Sequence, residues 1–202
     1  MILALDGSSV DGPVYTDVVG LARHAPAWLN GTVSAWSTYG LALFALLMAV
    51  GWWRARRVDA ATSVTALAVP FAVVAAFGVD TVLKLLVRED RPCQSLRVTT
   101  LEACPAPGDW SFPSNHAAIA AASAVALWFV SRRLGALASV AAAAMAASRV
   151  WVGAHYPHDV LAGVAVGALT ALLVMTTSRG RAGATATHLT STRLRPLVEA
   201  GR

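Results

Sequence analysis

The chain has 202 residues, of which 56% are apolar and only 13% charged, and its net charge is +5. A soluble domain carries about 25% charged residues and disordered chains are polar, so disorder is excluded, and a soluble globule of this length lacks the interior to hide so much apolar surface. Two cysteines exclude a disulfide-stapled mini-protein, and the basic residues sit in short loops beside apolar runs, which points to membrane topology rather than nucleic acid.

Residues 1–10 lack the basic flank of a signal peptide, and with Asp6 and Asp11 this start does not span. Residues 15–28, with Val18, Val19, Leu21, Ala22 and Ala25 loosely clustered, read either as a helix lying in the interface or as a mobile tail. A bilayer-crossing helix takes about 20 mostly apolar residues. Five stretches qualify: 34–53, 60–79, 110–131, 134–148 (continuing past Arg149 to 152) and 160–178. None alternates as a barrel strand would, and helices are the other way to span. The predicted fold is all-α, an integral membrane bundle of five transmembrane helices plus an N-terminal interfacial helix. Residues 1–178 form one membrane-embedded domain, and 179–202 a flexible basic cytoplasmic tail.

For an odd number of spans, Arg54, Arg56, Arg57, Arg132, Arg133, Arg179, Arg181, Arg193, Arg195 and Arg202 share one side, which the positive-inside rule makes cytoplasmic. Arg23, Lys84, Arg88, Arg91, Arg97 and Arg149 then lie at the outer side. Residues 84–113 form the one long loop, a feature that is usually functional or disordered. It holds Cys93 and Cys104. Outside the cytoplasm these can form a disulfide, the alternative being two free thiols.

Polar groups gather on the outer side in three places: Lys84 to Pro92, Phe112 to His116, and Ser148 to Asp159. Lys84, Arg91 and Arg149 are three cations at membrane level, where ionisable groups are costly and usually functional, and three cations need an anion. The planar fork of Arg suits phosphate oxygens. Ser114 stands where a helix N-cap belongs, so the amides after it point outward with the positive end of the dipole. Asn115 tolerates a left-handed backbone and can donate from its side chain. His116 sits in the first turn beside that cradle. His155 and Asp159 are four apart, which lets the carboxylate fix the imidazole tautomer. One oriented imidazole is a nucleophile, and a second is acid and then base.

Taken singly, each residue has a plainer reading: Lys84 as a snorkelling anchor or a partner of Asp80, Arg88 and Arg97 as solvated loop charges, and His158 as a non-catalytic neighbour of Asp159. A His/Asp cluster is also a metal-site pattern, but nearby Lys and Arg repel a divalent ion. No metal and no cofactor is expected.

Lys84-x6-Arg91-Pro92, Pro113-Ser114-Asn115-His116 and Ser148-Arg149-x5-His155-x3-Asp159 together resemble the three-part signature of the type 2 phosphatidic acid phosphatase superfamily, in its order and spacing. The resemblance implies metal-independent hydrolysis through a phosphohistidine. By analogy His155 attacks phosphorus, Asp159 orients it, and His116 protonates the leaving group and then activates water. Lys84, Arg91, Ser114, Asn115 and Arg149 would hold the phosphoryl oxygens. The family's second motif commonly has Gly where this chain has Asn115, and its membrane members often have six spans.

Residues 29–53, with Tyr39-Gly40 and the Trp-Trp-Arg ending, look like the undecaprenyl-diphosphatase branch. The expected reaction is therefore undecaprenyl diphosphate to the monophosphate in the outer leaflet, with Arg88 as a possible contact for the second phosphate. Phosphatidic acid, phosphatidylglycerol phosphate or another prenyl phosphate are alternative substrates. A lipid-binding or transport protein is the non-enzyme alternative.

Overall fold

The computed structural model describes residues 6–199. The expectations for residues 1–5 and for Arg202 fall outside them. Among the described residues there are nine helices and no strand: α1 (Ser8–His24), α2 (Ala27–Tyr39), α3 (Leu41–Ala55), α4 (Ala60–Val87), α5 (Pro92–Ser95), α6 (Asn115–Trp128), α7 (Arg132–Trp151), α8 (Pro157–Thr190) and α9 (Arg195–Val198).

Helix α6 is the hub. Its buried face is almost all alanine, from Ala117 to Ala126. Side chains this small let α4, α7 and α8 pack around it closely. The closest approach is made by two glycines one turn apart on α8. A Cβ on Gly163 would lie 2.5 Å from the Ser114 carbonyl oxygen, and one on Gly167 would lie 2.1 Å from that of Ala118. This contact sets the start of α8 against the start of α6, where the Ser114 amide donates to the Asp159 carbonyl oxygen at 3.0 Å.

The helix ends follow local chemistry. Asp59 caps α4, its carboxylate accepting from the Thr62 amide at 2.7 Å. Pro26 holds Ala25 extended at φ −74°, ψ 151°, which breaks the expected 15–28 helix into α1 and α2. Pro157 stands in the first turn of α8, and the Asp159 side chain reaches back to the Tyr156 amide at 2.9 Å.

By length and composition, fewer than the five expected spans stand out. Among the described residues, three helical runs are long and apolar enough to cross a membrane: Ala60–Ser95, Arg132–Trp151 and Pro157–Thr190. Helices α2 and α3 meet at a 53° bend and make a fourth only if counted as one broken span. The 110–131 stretch yields just 14 residues of helix, about 21 Å at 1.5 Å per residue, short of the roughly 30 Å hydrocarbon core. Its first five residues form loop that enters the site described below. The tail also departs from expectation. Helix α8 continues past Ser178 to Thr190, and Val198 of α9 is buried. The Trp52 indole donates to the Leu197 carbonyl oxygen at 2.9 Å.

Candidate active site

Three backbone features bring the distant motifs together. Helix α4 ends at Arg88 in the left-handed conformation, φ 44°, so the chain turns back beneath its own end. Arg91, placed before Pro92, is extended at φ −63°, ψ 145°. At the other end Gly153 has φ +83°, a conformation that favours glycine. That turn folds residues 154 and 155 back so that their amides donate to the Arg149 carbonyl oxygen at 3.1 and 3.3 Å. The result is a cavity of about 300 Å³ lined by Lys84, Arg91, Asn115, His116, Arg149 and His155. Glu102 and Asp109 of the 96–114 loop line it as well.

His155 is 2% exposed. Its Nε2 accepts from Arg91 Nη1 at 3.0 Å. Its Nδ1 lies 3.5 Å from Asp159 Oδ2 and 3.5 Å from Ser111 Oγ. Hydrogen bonds of this kind are often long before substrate arrives. Burial pushes the His155 ring down to about 3, with the Asp159 hydrogen bond opposing and the Arg91 charge reinforcing the fall. The ring is therefore neutral. The network assigns its proton to Nδ1, facing Asp159, and gives the Nε2 lone pair to the Arg91 N–H. Asp159 is fully buried. Besides His155, its Oδ2 accepts from the Tyr156 amide at 2.9 Å and from the Ser111 hydroxyl at 2.5 Å.

The three cations are met by the protein's own acceptors. Lys84 donates to the carbonyl oxygens of Trp110 and Ser111 at 2.7 and 3.2 Å. Arg91 is bonded by the Asp109 carboxylate at 2.8 Å and by the Asp109 and Ala154 carbonyl oxygens at 3.0 Å. Arg149 meets Glu102 Oε2 at 3.1 Å and the Ser37 hydroxyl. The Glu102 and Asp109 side chains are 43% and 52% exposed, so a phosphate can displace them into solvent. Ser114 Oγ, Asn115 Oδ1 and Arg149 Nε are buried without hydrogen-bond partners. Ser114 Oγ, Arg149 Nε and the first-turn amides of α6, which a helix start leaves without intrahelical acceptors, are donors suited to an oxyanion.

Of the residues singled out from sequence, His116, His155, Lys84, Arg91, Asn115 and Arg149 line one cavity, with Asp159 behind His155 and Ser114 at the N-cap position of α6, its hydroxyl unbonded. Cys93 and Cys104 are joined in a disulfide, Cα–Cα 5.9 Å, which closes off the loop segment that carries Glu102. Arg88 is not brought to the cavity. It is exposed, its Nε donates to the Leu85 carbonyl oxygen at 3.2 Å, and its guanidinium lies 6.0 Å from the Trp110 ring centroid. Asp80 does not pair with Lys84. Both its oxygens are buried without a hydrogen bond. Sequence reasoning missed Ser111, Ser37, Glu102 and Asp109. The available signal was the charge balance, since three clustered cations demand counter-charges from the same loop.

Residues 65–182 match the PAP2 superfamily. Undecaprenyl-diphosphatase BcrC of Bacillus subtilis is 34% identical over 100 residues, 50% of this chain and 51% of that protein. Decaprenylphosphoryl-5-phosphoribose phosphatase of Mycobacterium tuberculosis is 36% identical over 107 residues, 52% of this chain and 57% of that protein. The chain thus spans about half the length of the curated relatives it matches. Among solved structures, LpxE of Aquifex aeolicus superposes with a TM-score of 0.68 at 19% identity, over 87% of this chain and 99% of that one, a likeness of fold.

Proposed function

The chain belongs to the PAP2 superfamily, and from that premise we propose that it is a metal-independent membrane lipid phosphatase acting through a phosphohistidine. The observation that carries this reading is the neutral, buried His155, which lines the same cavity as Lys84, Arg91 and Arg149 and whose Nε2 is held by the Arg91 guanidinium that a phosphate would engage. That excess of positive charge suits a phosphoryl group and repels a divalent cation.

A phosphate entering the cavity replaces Asp109 and Glu102 on the two guanidiniums. His155 Nε2 attacks phosphorus. The P–N bond forms as the bond to the leaving oxygen breaks, and His116, protonated once the anionic phosphate has entered beside it, gives that oxygen its proton. Asp159 holds Nδ1–H and offsets the positive charge that appears on the ring. The now neutral His116 takes a proton from water, whose oxygen attacks phosphorus. The P–N bond breaks, inorganic phosphate leaves, and both histidines return to their starting state.

Undecaprenyl diphosphate at the outer leaflet is the lead substrate. The names of relatives such as BcrC support it, as does the positive-inside reading of the basic residues, by which the site lies outside and the C-terminus in the cytoplasm. A lipid phosphomonoester is the second reading. Arg88 stands away from the cavity, while the carboxylates of Glu102 and Asp109 line it, an arrangement less suited to a second phosphate.

The test is phosphate release in EDTA by detergent-purified protein, comparing wild type with His155→Ala on undecaprenyl diphosphate and phosphatidic acid. Release that survives EDTA and disappears in the variant is expected. EDTA-sensitive release, or release that persists in His155→Ala, would sink the mechanism.

A further inference from the structure

Behind the His155–Asp159 pair, on the side away from the cavity, lies a second charged cluster that the mechanism above does not use. His158 is its centre. Its Nδ1 lies 2.8 Å from Asp11 Oδ1, and its own backbone amide donates to Asp11 Oδ2 at 2.7 Å. Its Nε2 lies 3.1 and 3.2 Å from the two oxygens of Glu89 and 3.4 Å from Asp159 Oδ1. Glu89 and Asp159 are fully buried, and Asp159 Oδ1 has no hydrogen-bond partner. The ring is stacked against Tyr156, with centroids 5.5 Å apart, and lies 6.0 Å from Phe112. The charged groups facing it are therefore Asp11 from α1, Glu89 from the turn after α4, and Asp159 from α8.

Both ring nitrogens meet carboxylate oxygens, which accept and do not donate. A neutral imidazole would turn one lone pair against a carboxylate, so the geometry calls for the doubly protonated ring. We propose that His158 is a positioning residue: a half-buried imidazolium, clamped by Asp11 and Glu89, that keeps Asp159 ionised and thereby ready to orient His155. Helix α1 thus takes part in catalysis through Asp11, although it lies outside all three motifs. Gly7 shows how closely this end of the chain is fitted, since a Cβ there would lie 2.1 Å from Glu89 Oε1. The inference rests on the phosphatase reading only for its catalytic consequence.

Ligand-type atoms of Glu89, His158 and Asp159 lie within 4.8 Å of one another. Remove the imidazolium and two buried carboxylates face each other, so one takes up a proton. In His158→Asn we expect kcat to fall about tenfold, the scale seen for partners one shell out from a reacting group. The KM should stay within about twofold, because no contact to the phosphate is lost. The acid limb of the kcat profile should move to higher pH.

Glu89→Gln added to His158→Asn removes the repulsion as well as the cation and should restore most of kcat and the original limb. A purely structural role predicts the opposite, a double variant at least as damaged as the single one and an unshifted profile, and that outcome would overturn the proposal. A second measurement needs no turnover. In wild type with ¹⁵N-labelled histidine, the ring in contact with Tyr156 should keep both nitrogens protonated through pH 8. A neutral ring there at pH 7 overturns the proposal whatever the variants do. A wild type inactive on every lipid that still shows the doubly protonated ring would count against the phosphatase reading and leave the clamp standing.

Discussion

Replacing Gly163 with alanine adds one methyl group at the place where α8 rests on α6. That Cβ would lie 2.5 Å from the Ser114 carbonyl oxygen and 3.2 Å from the Ser114 nitrogen. Ordinary contact begins near 3.4 Å, so the two helix starts must part by about 0.9 Å. Backbone cannot swing aside as a flexible side chain would. The parting acts on the link between the Ser114 amide and the Asp159 carbonyl oxygen, now 3.0 Å. It moves His116 on α6, the proposed general acid, away from His155 and Asp159 at the head of α8. A displacement of about 1 Å at reacting groups costs about a hundredfold in rate, and overpacking costs about 1–3 kcal/mol of stability. The control is Gly180→Ala on the same helix, where an added Cβ meets nothing within 4 Å and higher helix propensity favours the variant slightly. Both proteins are assayed in detergent for phosphate release and for Tm. Gly163→Ala should lose about two orders of magnitude in kcat and melt lower, while Gly180→Ala matches wild type. A Gly163→Ala protein within threefold of wild-type kcat would refute the view that this contact registers the two halves of the site.

Three further outcomes are expected. Asp159→Asn should lower kcat by about 10³–10⁴ with a small change in KM, because an amide can hold the wrong imidazole tautomer; steady-state kinetics on one lipid decide it. Burial holds His155 down at about 3 against 6.5 unfolded, so between those values the unfolded chain binds the extra proton and stability rises with pH. The Tm of wild type should therefore fall as pH drops from 6.5 toward 3, and His155→Gln should fall less; parallel curves would refute the assignment. Arg88→Ala should change kcat/KM by less than about threefold on both diphosphate and monophosphate lipids, since the side chain is exposed and outside the cavity; a selective tenfold loss on the diphosphate would return Arg88 to the site.

The chemistry of this chain is written in short-range patterns, and these survive translation into structure. A histidine four residues before an aspartate on a helix start, a serine at an N-cap and an arginine before a proline each constrain their own neighbourhood. Their meeting around one cavity follows from the order of apolar runs. The same local logic failed where an element's length depends on its partners. Residues 110–131 are apolar enough to read as a span. Their first five residues are nevertheless spent as loop, because Lys84 takes the Trp110 and Ser111 carbonyl oxygens and Asp159 takes the Ser111 hydroxyl. The tail past Ser178 is polar enough to read as frayed, yet α8 continues to Thr190 and Val198 is buried.

Composition, apolar run length and motif spacing thus carried the membrane class, the helical architecture and the residues gathered at the cavity, because each depends on residues a few positions apart or on the solvent. The tertiary structure alone decided which charges answer one another. Arg149 faces Glu102 and Ser37, Arg91 faces Asp109, Arg88 faces away, and His158 joins Asp11 to Glu89 across 147 and 69 positions. Coulombic pairing acts over a few ångströms of space and takes no account of distance along the chain. The helix packing that brings such groups together is set by small side chains, Gly163, Gly167 and the alanine face of α6, whose part in it is invisible until the helices are docked.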